Sequence, residues 1–431
     1  MKKRRIYKYP NGATLIYQND KRLNYSAVIA GFLCGSIKNE QNGVAHFVEH
    51  MMFKKTKNLT LDEINKERSL ITSLNAYTNT NLIMVDFSQS NRLFYKAMNL
   101  TSDILLNSVY DNELIDNERR VISEEYKRAI DNLNQEIEHQ FAKHFTNALT
   151  QEQRLGTDDD LVKINASTLI NYTNKNFCTE NFILSYCGNF PFRTIKKYTK
   201  KYFISNIQTN ELLKNDFFPI KITNPPTLVI HHNENNQVKV IIGFKYEFNE
   251  EDKKQSILDT LLANNFNYGI NQLYNRLRNE GLVYSSSSFI PIFDDKDAMF
   301  CFRFATSQDK IQRCLEVVKE SINTFINNEI PDDDFENSKN SEIYAYDEMH
   351  SSKKYNRAKF NLNYFLDHGT LKKPIKSKKS IKIIKKIKKQ ELQDYAKTIF
   401  NASKHPYVVI MGNVKKEQLP TYETILSIFN S

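Results

Sequence analysis

The sequence predicts an α+β protein of two similar halves, each a mixed or antiparallel sheet covered by helices. Three observations carry this reading. The first is length: 431 residues exceed what one hydrophobic core serves, so at least two units are expected. The second is an internal repeat. Tyr172-Thr-Asn-Lys-Asn-Phe177 leads into Asn181-Phe-Ile-Leu-Ser-Tyr-Cys-Gly188, and Tyr395-Ala-Lys-Thr-Ile-Phe400 leads into Pro406-Tyr-Val-Val-Ile-Met-Gly412. Each run is a helix end, a short loop, an apolar strand and then Gly-Asn, and the amphipathic segments 195–203 and 422–429 follow them. The third is that both halves open alike. Ala13-Thr-Leu-Ile-Tyr17 and Ala27-Val-Ile-Ala30 begin the first, Thr227-Leu-Val-Ile230 and Val238-Lys-Val-Ile-Ile-Gly243 the second. Strands, then long helical stretches, then strands again make sandwiches rather than a doubly wound parallel sheet. The expected boundaries are residues 1–206, a polar, proline-containing linker at 207–226, and residues 227–431.

Composition excludes several classes. Hydrophobic residues at 40% and aromatics at 12% are too many for a disordered chain. The net charge of +10 sits on a background rich in Lys and Asn, so it implies at most weak steering of acidic partners. Five cysteines, Cys34, Cys178, Cys187, Cys301 and Cys314, are odd in number and lack C-x-x-C spacing. A disulfide framework and a cysteine-bound zinc site are therefore not expected, and a reducing compartment is. The start is basic, but no apolar stretch follows it, so no signal peptide is expected. No run approaches ~18 uncharged apolar residues, so no membrane span is expected either, and the predicted location is the cytoplasm. Residues 372–389 hold ten lysines among Ile375, Ile381, Ile383, Ile384 and Ile387. No aromatic residues interleave them, so the run reads as a solvated helix face with inward isoleucines, not as a nucleic-acid site.

The chemistry centres on His46-Phe-Val-Glu49-His50. On a helix, positions i and i+4 lie one turn apart on one face, so both imidazoles can point at one ion. Glu49 lies on the same side and can sit beside a metal-bound water without coordinating. Two imidazoles and a carboxylate suit Zn²⁺ and leave a fourth position open. Zinc lowers the pKa of such a water to ~7, within reach of a carboxylate base. Composition alone would produce such a run only ~0.02 times in a chain of this kind. Val44, Phe47, Val48, Met51 and Met52 supply the apolar stripe, with Gly43 before the start. A third ligand must lie elsewhere, and candidates cluster at Asp116-Asn-Glu118-Arg-Arg-Val-Ile-Ser-Glu124-Glu125. Glu118 and Glu125 are two helical turns apart and share a face, while Glu124 is turned about 100° away. One of that pair can ligate while the other orients a histidine. A plain acidic helix face reads the same way.

Gly43-Val-Ala-His-Phe-Val-Glu-His-Met-Met-Phe53, Leu74-Asn-Ala-Tyr-Thr78 and Glu118-Arg-Arg-Val-Ile-Ser-Glu-Glu125 together resemble the pitrilysin, insulysin and mitochondrial-processing-peptidase family. The resemblance is strong over residues 30–130 and weaker in the second half. It implies His46, His50 and Glu125 as ligands of one zinc ion per chain, Glu49 as general base, and Glu118 as the residue orienting a ligand. It implies that Asn75 and Ala76 lie on an edge strand where peptide substrates dock as an added strand. Leu277-Arg278-Asn-Glu-Gly281-Leu282-Val283-Tyr284-Ser285 is similar to the family's Arg…Gly-Leu-x-Tyr-Ser element, which implies Tyr284 and an arginine as donors to substrate. The family spaces that pair seven apart. Arg278 stands six from Tyr284 and Arg276 eight, and Arg278 is preferred because Leu277-Arg278 keeps the family's order with one residue missing. The resemblance further implies two domains facing each other across a chamber, and a half-length member that pairs as a homodimer or with a sister subunit. The reaction implied is endopeptidase hydrolysis of small unfolded peptides. Rival readings are a leader-peptide protease of a modified-peptide pathway, a non-catalytic partner subunit, and a basic nucleic-acid-binding protein.

Overall fold

The computed structural model describes residues 4–22, 24–209, 218–249, 251–268, 273–293, 296–351, 354–368, 377–402 and 404–430. Six strands form the first sheet: β1 (Arg4–Lys8), β2 (Thr14–Asn19), β3 (Tyr25–Phe32), β4 (Ser73–Thr78), β5 (Ile83–Ser90) and β6 (Phe182–Gly188). Their order across the sheet is β1-β2-β6-β3-β5-β4. Five form the second: β7 (Leu228–His232), β8 (Val238–Glu247), β9 (Ser285–Phe289), β10 (Asp297–Thr306) and β11 (Tyr407–Gly412). Their order is β7-β11-β8-β10-β9. Each sheet is antiparallel except for one parallel pair, β2 with β6 and β7 with β11.

The repeated motifs are the strands that make these parallel pairs. Every residue of β6 and of β11 is buried, which explains why both read as unbroken apolar runs. Helices Ala166–Asn176 and Lys389–Ala402 lead into them, and helices Phe192–Tyr202 and Tyr422–Asn430 follow. The two units are thus α+β sandwiches, each a mixed sheet covered by helices.

Contacts divide the chain into two compact units, and neither is one continuous stretch. The first comprises residues 1–129, 149–218 and 351–374, the second residues 130–148, 219–350 and 375–431. A single cut within 207–226 does not express this division, and residues 210–217 of that stretch lie outside the described residues. The cause is that each sheet has two apolar faces, because successive strand residues point to opposite sides. In the first unit Leu15, Val28, Ala30 and Val85 face the helices of the main core. Ile16, Ile29, Met84 and Ile183 face the other way and are covered by Ala358 and Leu362 of helix Lys354–His368. In the second unit Ile241, Met299, Val409 and Met411 are covered by Ile137, Phe141 and Phe145 of helix Leu133–Phe145.

Polar anchors fix helix Lys354–His368 on its sheet. Arg357 Nη1 pairs with Asp20 at 2.6 Å, Asn361 Nδ2 donates to Gln18 Oε1 at 2.7 Å, and Lys354 Nζ donates to the Tyr25 carbonyl at 2.5 Å. In the lysine-rich tract, helix Ser377–Lys386 leads to Ile384 and Ile387, buried in the second core, while Lys382, Lys385 and Lys386 are exposed. Ile375 and the lysines before it lie outside the described residues, as do the first three of the chain. All five cysteines are buried. No helix among the described residues is long and apolar enough to cross a membrane.

Candidate metal centre and catalytic site

The His-x-x-Glu-His run forms helix Val44–Met51, as its spacing predicts. Gly43 caps its N-terminus at φ 81°, a conformation that L side chains rarely adopt. A Cβ there would also stand 2.5 Å from the Leu155 carbonyl oxygen, so only glycine permits this start. Val44, Phe47, Val48 and Met51 are buried and fix the helix's rotation. The second helix, Asn112–Asp131, buries Ile115, Glu118 and Ile122 and brings Glu118 and Glu125 to the histidines. Glu124 is exposed and pairs with Lys127 at 2.9 Å, away from the cluster.

Ligand atoms of His46, His50 and Glu125 all lie within 4.8 Å of one another. Glu125 Oε2 stands 3.3 Å from His50 Nε2 and 3.8 Å from His46 Nε2, and Glu49 Oε2 stands 4.0 Å from His46 Nε2. On its other side His50 donates from Nδ1 to Glu118 Oε1 at 2.7 Å. That bond fixes the tautomer and leaves Nε2 turned toward Glu125. Lys54 Nζ binds the second oxygen of Glu118 at 2.5 Å, and against the effect of burial the hydrogen bonds of His50 and then Lys54 hold that carboxylate below its usual pKa.

The charges of this cluster are unequal. Burial, and then the charge of His50, lowers the pKa of His46 to about 4, so this imidazole stays neutral. Burial acts on His50 in the same direction, but hydrogen bonds to Glu118 and Glu125 outweigh it and raise its pKa to about 9. Glu125 is held below the usual carboxylate range, first by its hydrogen bond to His50. Burial raises Glu49, against His50 and hydrogen bonds from Thr78. Two imidazoles and two carboxylates packed this closely without a cation leave one histidine forced to carry a proton. A divalent ion would replace that proton, and this donor set fits Zn²⁺.

Asn75 and Ala76 lie on β4, which among the described residues ends the first sheet and pairs only with β5. Asn75 is exposed and Ala76 buried in the core. The strand's last residue, Thr78, hydrogen-bonds Glu49, so the edge strand touches the carboxylate beside the cluster. The proposed Tyr and Arg lie in the second unit. Tyr284 is 73% exposed, so it is no core residue. Arg278 stacks over the Tyr274 ring at 5.6 Å, whereas Arg276 is engaged by Thr324 at 3.1 Å and Glu320 at 3.8 Å.

Sequence reading assigned no role to Lys54, Thr78 or Arg154. Lys54 lies in the turn just past the end of the helix, near enough to His50 in the chain to have been considered. Arg154, whose charge opposes protonation of His46, lies on the short helix Gln151–Leu155 far along the chain and leaves no local signal.

Paired imidazoles closed by a carboxylate, with a further carboxylate beside them and the edge strand alongside, form a donor set of the kind that holds a divalent metal ion. The chain belongs to the insulinase family of peptidases (family M16): the profile of that name matches residues 14–158, and that of the M16 inactive domain matches residues 163–342. The metal-type cluster lies wholly within the first match. An uncharacterized zinc protease of Rickettsia bellii is 27% identical over 95% of this chain and 98% of its own length. The beta subunit of the mitochondrial-processing peptidase of Saccharomyces cerevisiae is 31% identical over 46% of this chain and 44% of its own. In fold, the chain is similar to a Helicobacter pylori protease at TM-score 0.77 and 18% identity, covering 95% of this chain and all of that one. It is also similar to the periplasmic protease PqqL of Escherichia coli, at TM-score 0.75 and 16% identity, covering 99% of this chain and half of that one.

Proposed function

We propose that this protein is a zinc-dependent endopeptidase that hydrolyses small unfolded peptides. The observation that carries the reading is the convergence of His46, His50 and Glu125 within 4.8 Å, with Glu49 beside them. His46, His50 and Glu125 would hold one zinc ion, which when bound supplies Lewis-acid polarisation of the peptide carbonyl and acidifies water. The chain's own residues do the rest. Glu49 takes the proton of the attacking water and returns it to the leaving amine, and its burial raises its basicity for that task. Glu118, backed by Lys54, holds His50 in one tautomer. The open edge of β4 aligns an extended peptide as an added strand, with Asn75 and Ala76 at its centre. Tyr284 and Arg278 supply donors to substrate, and the engagement of Arg276 by Glu320 supports Arg278 for that role.

By family resemblance the reaction takes place in a closed chamber between domains, in a homodimer or with a related subunit. One relative is itself named as a subunit. The absence of cysteine pairing motifs supports a cytoplasmic location. The ligand assignment is tested by metal analysis of variants. About one zinc per chain is expected, and His46→Ala, His50→Ala and Glu125→Gln should each lose it, because three ligands rarely tolerate the loss of one. Full zinc retention in Glu125→Gln would remove Glu125 from the ligand set.

A further inference from the structure

The catalytic cluster and β4 occupy one edge of the first sheet, and the opposite edge carries a second feature with no part in that chemistry. There, among the described residues, β1 pairs only with β2, so the outer row of its backbone groups has no strand partner among them. Beside it runs helix Phe192–Tyr202. Tyr7 and Tyr9 from the strand side and Arg193, Lys196, Lys197 and Lys200 from the helix line a groove of about 610 Å³. No carboxylate lines it, and among the described residues none of the four cations is ion-paired. Positions 193, 196, 197 and 200 recur at helical spacing, so the charges form one row about 10 Å long. Arg5, on the same face of β1 as Tyr7, stacks over Phe192 at 5.1 Å and adds a fifth cation at the rim.

We propose that this groove binds an extended acidic polypeptide segment, which adds to β1 as a seventh strand and sets its carboxylates against the cation row. The open strand edge supplies backbone recognition, which only a polypeptide can answer. Carboxylates on alternate residues of such a strand recur every ~6.7 Å, close to the ~5.4 Å of a helical turn. A nucleic-acid strand fits less well, because it needs exposed rings on which bases stack. Tyr9 is buried and spends its hydroxyl on the Lys196 carbonyl at 2.8 Å, and Lys196 Nζ already covers the Tyr7 ring at 3.9 Å. Five strand spacings, ~24 Å, separate this edge from β4, so binding here leaves the hydrolytic residues untouched.

The test is fluorescence anisotropy on the full-length chain with a labelled decapeptide of alternating Glu and Ser, its integrity checked by mass spectrometry. Binding is expected, and Lys197→Glu with Lys200→Glu should weaken it roughly tenfold or more. The thermal midpoint and the hydrolysis of a short neutral peptide should stay unchanged. The same decapeptide with alternate amides N-methylated should bind poorly, as should a ten-residue thymidine strand. No binding, or equal binding by the doubly substituted chain, overturns the proposal and leaves the cations as a guard on the sheet edge. Equal binding of the thymidine strand or of the N-methylated peptide overturns it too, by reducing the groove to a general polyanion surface.

Discussion

At the residue scale the cluster holds two histidines of opposite character. His46 is kept neutral by burial, while His50 is held protonated by Glu118 and Glu125 when no cation is present. A metal can bind His50 only by displacing that proton. Zinc uptake by the metal-free chain at pH 7 should therefore release at least about one proton per ion, the His50 proton leaving as the ring becomes a ligand. Calorimetry in buffers of different ionisation enthalpy reads this number directly, and release of none at pH 7 would refute the charge assignment. Glu118 has its own signature. Glu118→Ala should weaken zinc binding ~10- to 100-fold in chelator competition, as removing an orienting partner typically does. Unaltered affinity would reduce the 2.7 Å bond to His50 to a packing detail. The histidine and glutamate spacings were legible because they are local and follow from helical geometry. The contributions of Thr78 and Arg154 were not, because their nearness to the motif arises from strand β4 and the short helix Gln151–Leu155.

At the scale of elements, the repeat was readable because β6 and β11 are buried on both faces and so are dominated by apolar residues, the buried Ser185 of β6 donating to the Ala358 carbonyl. What the pattern could not carry was the partner of each sheet's second face. Helix Lys354–His368 docks through pairs such as Arg357 with Asp20, which are separated by most of the chain and leave no local pattern. A second buried network sets a pH dependence. Asp259, on helix Lys253–Asn267, accepts from Tyr246 at 2.7 Å and Tyr395 at 2.5 Å, and burial raises its pKa to about 6. The folded state therefore holds this proton more tightly than the unfolded chain. The stability it contributes is present below about pH 4 and is lost as pH rises to about 6. Asp259→Asn keeps an acceptor for both tyrosines without the charge. Relative to the parent, its thermal midpoint should improve as pH rises from 4 to 6 and then hold its gain. Parallel midpoint curves for the two proteins would show that Asp259 does not titrate in that window.

At the scale of the whole molecule, the exchange of segments makes each unit depend on the other half of the chain. Residues 1–206 expressed alone lack helix Lys354–His368, so Ile16, Ile29, Met84 and Ile183 would lose their cover. That fragment should be insoluble or bind hydrophobic dyes strongly, and a cooperative, soluble fragment would contradict the packing described. The division of chemistry between units is equally testable. Tyr284→Phe should lower kcat and kcat/KM together by ~10- to 10³-fold with zinc content unchanged, as for one lost oxyanion donor. Normal kinetics would confine catalysis to the first unit.

The central claim is that Glu49 is a base beside a metal and not one of its ligands. Zinc content and peptide turnover, measured together on the parent chain and on Glu49→Gln, test it most directly. About one zinc is expected in both proteins, with cleavage of a peptide library by the parent and turnover reduced by ~10²- to 10⁴-fold in the variant. A zinc-free parent, or a Glu49→Gln chain that loses its metal, would contradict it.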